Sequence, residues 1–167
     1  PDVINITLEV LATNEFHKSV DQSKISPFSI APGIRPVFWV FAPEGTGMIH
    51  SGMPGQDLIR PPSPTIRVEE GDRVRLKLRN THYMPHTIHL HGADHPFVDA
   101  SGEGNDGVPL TSEVPVLPGR ARTYELQPRT AGTTFYHCHV QPHVHVMMGL
   151  QGLFVVEENR PNNTLQT

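Results

Sequence analysis

Residues 136–139 read Tyr-His-Cys-His, and this short stretch constrains the fold more than any other part of the chain. It lies in the segment from Phe135 to Gly149, which holds four histidines, two methionines and the only cysteine of the 167 residues. Side chains alternate between the two faces of a β-strand. On a strand, therefore, His137 and His139 point to one face and Cys138 points to the other.

A second histidine cluster, His86-Thr-Ile-His-Leu-His91, has the same alternation. His89 and His91 share a face, and His86 has the opposite parity because it lies three residues before His89. If the two strands are neighbours, a thiol and one imidazole lie on one side and four imidazoles lie on the other. The sequence therefore predicts two sites back to back, one with Cys138 and His86, the other with His89, His91, His137 and His139.

The rest of the chain is typical of an all-β protein. Seventeen prolines and fourteen glycines interrupt short runs of β-branched residues. Between them there is no long segment in which apolar residues recur with helical spacing. About eight short strands at this spacing predict a Greek-key β-sandwich, as a single domain over residues 1–167. Residues 43–64, rich in proline and glycine, are expected to form a long surface loop. The predicted strands are Val3–Val10, Ile34–Phe41, Thr65–Val68, Asp72–Arg79, His86–His91, Ala121–Leu126, Thr133–Cys138 and Gly152–Glu157.

Charge and hydropathy argue against two classes of protein. The net charge of −4 and the pI of about 6.3 lack the basic excess that is typical of nucleic-acid-binding proteins. No apolar run approaches the roughly 18 residues that a membrane-spanning helix needs. We therefore expect neither a nucleic-acid partner nor a membrane span.

Further metal donors follow Cys138 in the chain. His143 lies five residues after the cysteine and Met148 lies ten after it, beyond Pro142, where we predict a turn. One thiolate, two imidazoles and one thioether are the donor set of a blue-copper electron-transfer site, whereas zinc favours a more uniform tetrahedral set. We therefore expect His86, Cys138, His143 and Met148 to bind copper. His145 is expected to be an exposed loop residue.

These motifs resemble those of the multicopper oxidases. His86-Thr-Ile-His-Leu-His-Gly92 is similar to the H-x-x-H-x-H-G motif of that family, and His137-Cys-His-Val-Gln-Pro-His143, continuing to Met148, is similar to its H-C-H-x3-H-x4-M motif. The segment Pro64-Thr-Ile-Arg-Val-Glu-Glu-Gly-Asp72, followed by Asn80, resembles the strand and turn that precede the first motif. The resemblance covers about residues 45–158, in the order and spacing of the family, and implies a cupredoxin-type fold.

The resemblance also implies a role for each histidine of these two motifs. His86, Cys138, His143 and Met148 would hold the type 1 copper, which accepts single electrons from a reductant. His89 would bind the type 2 copper, and the type 3 coppers would take His91, His137 and His139. This trinuclear cluster would reduce dioxygen to water with four electrons.

The chain departs from the family pattern in the number of histidines. The trinuclear cluster of the family takes eight, four from each of two cupredoxin domains, and this chain offers one set of four. We expect a second copy of the chain to supply the other set across a two-fold interface, in a dimer or in a hexamer built from such pairs. A separate partner domain is the alternative source.

Three other functions stay open at this point. A copper nitrite reductase resembles the chain around most of the same residues, but it has Asp where this chain has His89 and Ala where this chain has His139. A simple type 1 electron carrier needs no cluster and no oligomer. A copper-storage module would draw on Met48, His50 and Met53 as soft ligands in the surface loop.

The remaining expectations are more general. Asp94 and His95 closely follow the first motif, and Asp94 is a candidate proton relay. The reductant is a small molecule such as a phenol, a metal ion such as Cu(I), Fe(II) or Mn(II), or a redox protein, and no sequence feature distinguishes between them. The resemblance implies a location outside the cytoplasm, in the periplasm or secreted.

Overall fold

The computed structural model of the chain describes residues 2–16, 18, 21–25, 29–44 and 59–159. The candidate copper ligands Met48, His50 and Met53 lie outside these residues, as does most of the predicted loop over residues 43–64. The described part holds two four-stranded sheets, one short α-helix and a 3₁₀ turn over Gln22–Lys24. The all-β prediction is therefore confirmed. Neither helix is long enough to cross a membrane.

The first sheet has the strand order β2-β1-β4-β6. β1 pairs in parallel with β4, while β2 and β6 run antiparallel to their neighbours. Along β4 every second residue is buried, as the sequence pattern predicted. The strands are β1 (Val3–Ala12), β2 (Trp39–Pro43), β4 (Arg73–Arg79) and β6 (Ala121–Leu126).

The second sheet has the order β3-β8-β7-β5 and carries both histidine motifs. β3 pairs in parallel with β8, and the other two pairs are antiparallel. Its strands are β3 (Ile66–Glu69), β5 (His89–Leu90), β7 (Gly132–His137) and β8 (Gln151–Glu157). Apolar residues of both sheets, among them Leu76, Tyr124, Tyr136 and Phe154, form one core.

Three elements differ from the prediction in type or by more than two residues. The strand predicted over Ile34–Phe41 begins only at Trp39, and the strand predicted over His86–His91 is reduced to His89–Leu90. His86 instead forms an isolated antiparallel bridge with Val116. The turn predicted at Pro142 is an α-helix, α1 (Pro142–Met148). Proline is well placed at the first position of a helix because its missing N–H would have no partner there, and Gly149 ends the helix with a positive φ of 122°.

The alternation along β4 provides a test of the core. Leu76 is 1% exposed and Lys77, the next residue, lies on the solvent face. We expect Leu76→Ala to lower the free energy of unfolding by about 2–5 kcal/mol, because it leaves a cavity between the sheets. Lys77→Ala on the same strand should change it by less than about 0.5 kcal/mol. Urea denaturation of both variants checks this, and equal losses would contradict the assignment of the two faces.

Candidate metal centres

The single thiol lies between two imidazoles in the interior. Cys138 Sγ is 3.5 Å from His86 Nδ1 and 3.4 Å from His145 Nδ1. All three residues are fully buried, and their candidate ligand atoms lie within 4.8 Å of one another. We refer to these three residues as the thiol cluster.

His145, and not His143, is the second imidazole of the thiol cluster. The expectation that His145 is an exposed loop residue was wrong, since it is fully buried, whereas His143 is exposed. The helical geometry of α1 explains the difference. Two residues that are two positions apart on a helix point about 200° apart, so that only one of the two histidines can face Cys138. The sequence predicts a turn at Pro142, and both the spacing and the motif resemblance indicate His143.

Met148 lies on the same side of α1 as His145. The two residues are three positions apart, which places them as neighbours on one helix face. Met148 is partly buried and packs against the core that includes Cys138, whereas Met147 is 82% exposed. A thioether is therefore available on the side of the helix that faces the thiol cluster.

His82 is a buried neighbour of this cluster that the sequence did not indicate. Its Nδ1 lies 2.9 Å from His86 Nε2, and its ring packs against Trp39 and Tyr83 with centroids 4.7 and 4.3 Å apart. Because His86 turns its Nδ1 towards Cys138, its Nε2 is left to hydrogen-bond with His82. Such a partner on the second ring nitrogen sets the tautomer and the orientation of a metal-binding histidine.

Burial keeps the thiol cluster uncharged. It lowers the pKa of His86 to about 3, with His145 and His82 as further causes, and it lowers the pKa of His145. Burial also raises the pKa of the Cys138 thiol to about 11. A metal ion that binds here has to displace the thiol proton, because the thiolate is the ligand.

The four other histidines meet on the opposite face of the second sheet. His89 and His137 are directly paired across β5 and β7. The rings of His91, His137 and His139 have centroids 5.1, 5.4 and 5.3 Å from that of His89. His91 Nε2 and His137 Nε2 are 2.9 Å apart. We refer to these four residues as the histidine cluster.

Backbone carbonyls orient two of these rings. His89 Nδ1 lies 2.7 Å from the carbonyl oxygen of Asp106, and His137 Nδ1 lies 3.0 Å from that of Cys138. Since a carbonyl oxygen only accepts, both Nδ1 atoms must donate, and the lone pair of each ring is then on Nε2. Both rings therefore have Nε2 as the atom available to a metal ion. Burial lowers the pKa of His137 and of His91, which favours the neutral ligand form.

Asp106 is a second residue that the sequence did not single out as functional. Its carboxylate lies 3.6 Å from His89 Nδ1 and 3.4 Å from His95 Nε2. The predicted relay residue, Asp94, is exposed and has a positive φ of 46°. Asp106, rather than Asp94, is therefore the carboxylate that contacts a residue of the histidine cluster. Its neighbour Gly107 packs so closely on Ile88 that an added Cβ would lie 2.1 Å from the Ile88 carbonyl oxygen.

Several known proteins are similar to this chain in sequence. A sequence profile of the family described as multicopper oxidase matches residues 60–161. The multicopper oxidase mco of Staphylococcus aureus is 32% identical over 103 residues, which cover 60% of this chain and 21% of that protein. Copper resistance protein A of Pseudomonas syringae pv. tomato is 30% identical over 134 residues, which cover 80% of this chain and 19% of that protein.

A similar fold is found among solved structures. That of a multi-copper oxidase from Pseudomonas thermotolerans superposes with a TM-score of 0.65 at 26% identity, over 98% of this chain and 32% of that one. The prediction of a cupredoxin-type fold is confirmed by such neighbours. The chain spans between about a fifth and a third of the length of these three proteins.

The buried His86 makes stability depend on pH in the copper-free protein. An unfolded histidine has a pKa near 6.5, and the folded pKa of His86 is about 3, so between these values the unfolded chain binds one more proton. Its contribution to stability is present above pH 6.5 and is lost as the pH falls. We expect the free energy of unfolding of the wild type to fall faster than that of His86→Gln, by up to about 1.4 kcal/mol per pH unit. Urea denaturation between pH 6 and pH 4.5 measures both slopes.

The control for this comparison is the alkaline range. Between pH 8 and pH 9 His86 is neutral in both states, so the wild type and His86→Gln should have parallel stability curves. If the stability curves of the two proteins are also parallel between pH 6 and pH 4.5, the burial of His86 does not cause the loss of stability in acid.

Proposed function

Because the chain belongs to the multicopper oxidase family, we propose that its two clusters bind copper and support oxidation of a reductant by dioxygen. The thiol cluster, with Met148, would hold the type 1 copper, and the histidine cluster would hold half of a trinuclear site. The chemistry that copper supplies when bound is the transfer of single electrons from the reductant to dioxygen, which four electrons and four protons reduce to water. The placement of the two clusters back to back, on the two sides of the chain where β7 ends, is the observation that supports this best.

The donor chemistry fits copper at both clusters. One buried thiol, two imidazoles and a nearby thioether form a soft and uneven set, which suits copper better than zinc. The second cluster offers only imidazoles, of which His89 and His137 have Nε2 as the available atom. We therefore assign His86, Cys138, His145 and Met148 to type 1 copper, with His145 replacing His143. His89 is assigned to type 2 copper, and His91, His137 and His139 are assigned to type 3.

The chain itself provides a short connection between the two clusters. Cys138 lies in the thiol cluster, and its neighbours in sequence, His137 and His139, lie in the histidine cluster. An electron that enters at the thiol therefore has a path through a few covalent bonds. The histidine rings, fixed by the carbonyl oxygens of Asp106 and Cys138, are oriented before a metal ion binds, which reduces the reorganisation on binding.

We propose that a second copy of the chain supplies the other four histidines. The histidine cluster lies at the surface, with His91 exposed. On the same face of the second sheet, Phe135 is 56% exposed and is directly paired with Leu153, which is 39% exposed. An apolar pair beside the cluster favours an interface at this face. A two-fold axis would bring the same patch of the partner onto it, in a dimer or in a hexamer of such pairs.

The assignment of His145 can be tested against the motif spacing. We expect His145→Gln to abolish the intense blue absorption of type 1 copper and to lower its copper content, because a buried ligand is lost. His143→Gln should keep the blue absorption, since that side chain is exposed. Optical spectra and copper analysis of the two variants measure this. If His145→Gln is blue and His143→Gln is colourless, His143 is the type 1 ligand, as the motif spacing indicates.

If two chains share one trinuclear site, the copper content per chain depends on whether the chains are paired. Two type 1 ions and one trinuclear cluster give about five copper ions for every two chains. We expect Phe135→Asp to dissociate the pair and leave about one copper per chain, with the blue colour retained, because only the shared site is lost. Sedimentation equilibrium and copper analysis check both values. Ile34→Asp is the matched control, since Ile34 is 53% exposed and lies outside both sheets.

Other copper contents would point to other functions. About two copper ions per chain in the wild type would favour a nitrite-reductase-like pair of sites. About one, with intense blue colour and no oligomer, would favour a simple electron carrier.

A further inference from the structure

The ring of His89 is oriented by an oxygen atom in an irregular part of the chain. Its Nδ1 donates to the backbone oxygen of Asp106 over 2.7 Å. Asp106 lies in no strand or helix, because β5 ends at Leu90 and the next strand, β6, begins at Ala121. Ladder hydrogen bonds of the two sheets therefore do not hold this oxygen. Another contact has to fix its direction before it can orient His89.

The peptide group that joins Asp106 to Gly107 has this contact at its other end. The carbonyl oxygen of Asp106 and the N–H of Gly107 belong to one planar, trans peptide group, so they point in opposite directions. The N–H donates to Glu113 Oε2 over 3.0 Å. Because the peptide group is rigid, the bond that fixes its N–H also fixes the direction of the oxygen that accepts from His89.

Glu113 is itself held in a way that leaves Oε2 to Gly107. Its other carboxylate oxygen, Oε1, accepts from the Tyr124 hydroxyl over 2.7 Å and pairs with Arg122 Nη1 over 2.7 Å. Both partners are on β6, and the side chain of Glu113 is 0% exposed. The first sheet therefore fixes one oxygen of the carboxylate, and the second oxygen fixes the peptide group.

Stability alone does not account for a charged group at this place. A buried ion pair is often no more stabilising than apolar residues of similar volume, because the desolvation of two charges offsets their attraction. The negative charge does strengthen the hydrogen bond from Gly107, and the polarised peptide group is then a stronger acceptor at its oxygen. The charge of Glu113 thus favours a proton on Nδ1 of His89.

We propose that Glu113 is a positioning residue for His89. Through the peptide group of Asp106 and Gly107, its carboxylate fixes the orientation of the His89 ring and keeps the proton on Nδ1, so that Nε2 is available to a metal ion. Any effect on copper rests on the type 2 copper assigned to His89 above. The orientation of the ring, in contrast, is a property of the metal-free chain and can be measured there.

The copper-free protein tests the orientation directly. We expect ¹H–¹⁵N NMR spectra of the histidine-labelled wild type to show a proton on Nδ1 of His89, identified by its absence in His89→Gln. Glu113→Gln loses the charge at nearly constant volume. The Nδ1 proton should then exchange with water at least about tenfold faster, because its acceptor is weaker and less firmly held. Glu125→Gln is the matched control, since Glu125 is 50% exposed and pairs with Arg75 at the surface. Its exchange rate should equal that of the wild type.

Two further variants separate the peptide group from general support of β5. Tyr124→Phe removes the contacts of the hydroxyl with Glu113 and with the N–H of Ile88, but it leaves the bond between Gly107 and Oε2. The Nδ1 proton of His89 should exchange in it at close to the wild-type rate. Glu113→Asp keeps the charge on a side chain that is one methylene shorter, and it should accelerate exchange as Glu113→Gln does.

The exchange rates can contradict the proposal in two ways. If Glu113→Gln leaves the Nδ1 proton unchanged, or if Tyr124→Phe accelerates its exchange as strongly as Glu113→Gln does, the proposal is overturned. Should Glu113→Gln not fold, Glu113→Asp and Tyr124→Phe provide the same comparison. Acceleration in Glu113→Asp alone would support the proposal, and equal rates in the two variants would overturn it.

The copper-loaded protein gives a separate signal for each cluster. We expect Glu113→Gln to keep the blue absorption of type 1 copper, because His86 is held independently by its bridge with Val116. The EPR spectrum of type 2 copper should change, and competition with a chelator should show at least about tenfold weaker binding there. Loss of the blue absorption together with the type 2 signal would reveal a general structural effect and overturn the proposal. A wild type without type 2 copper would refute the proposed function instead, and the exchange rates in the copper-free protein would still test the role of Glu113.

Discussion

The register between β5 and β7 is the constraint on which both clusters depend. It places His89 directly opposite His137, and strand alternation then sends the thiol of Cys138 inward and its neighbouring imidazoles outward. A slip of one residue would exchange the two faces and bring the thiol to the surface. The two clusters are therefore not independent sites. Both depend on how β5 pairs with β7, so a change in the register of this pair would alter both clusters.

A strand of two residues needs further support, and a buried network of hydrogen bonds and one ion pair provides it. The hydroxyl of Tyr124 accepts the N–H of Ile88 and donates to the buried carboxylate of Glu113. Glu113 also accepts the N–H of Gly107 and pairs with Arg122 at 2.7 Å. Thr87 Oγ1 donates to the carbonyl oxygen of Gly107 and accepts the N–H of His139, so it ties the two histidine motifs together. This buried polar network connects the first sheet to the histidine cluster.

The parts of this structure that follow from local periodicity could be predicted from the sequence. The bounds of β6 were predicted correctly, and the alternation of His137, Cys138 and His139 indicated which side chains share a face. His145 was missed because the sequence signals that Pro142 starts a helix and Gly149 ends it were read as a turn. His82 and Asp106 could not be found in this way, because their contacts with His86 and His89 depend on how distant segments pack. Whether these residues bind copper stays a prediction.

The burial of Cys138 affects how readily its thiol is oxidised in the metal-free protein. Oxidants and disulfides react with thiolates, and a thiol whose pKa is about 11 is almost entirely protonated at neutral pH. The side chain is also out of reach of other molecules. The metal-free fold therefore keeps its only cysteine from sulfenic acid formation and from cross-linking with a second chain. For the copper site proposed at the thiol cluster, the packing that shapes the site would thus also protect the thiol ligand from oxidation until copper binds.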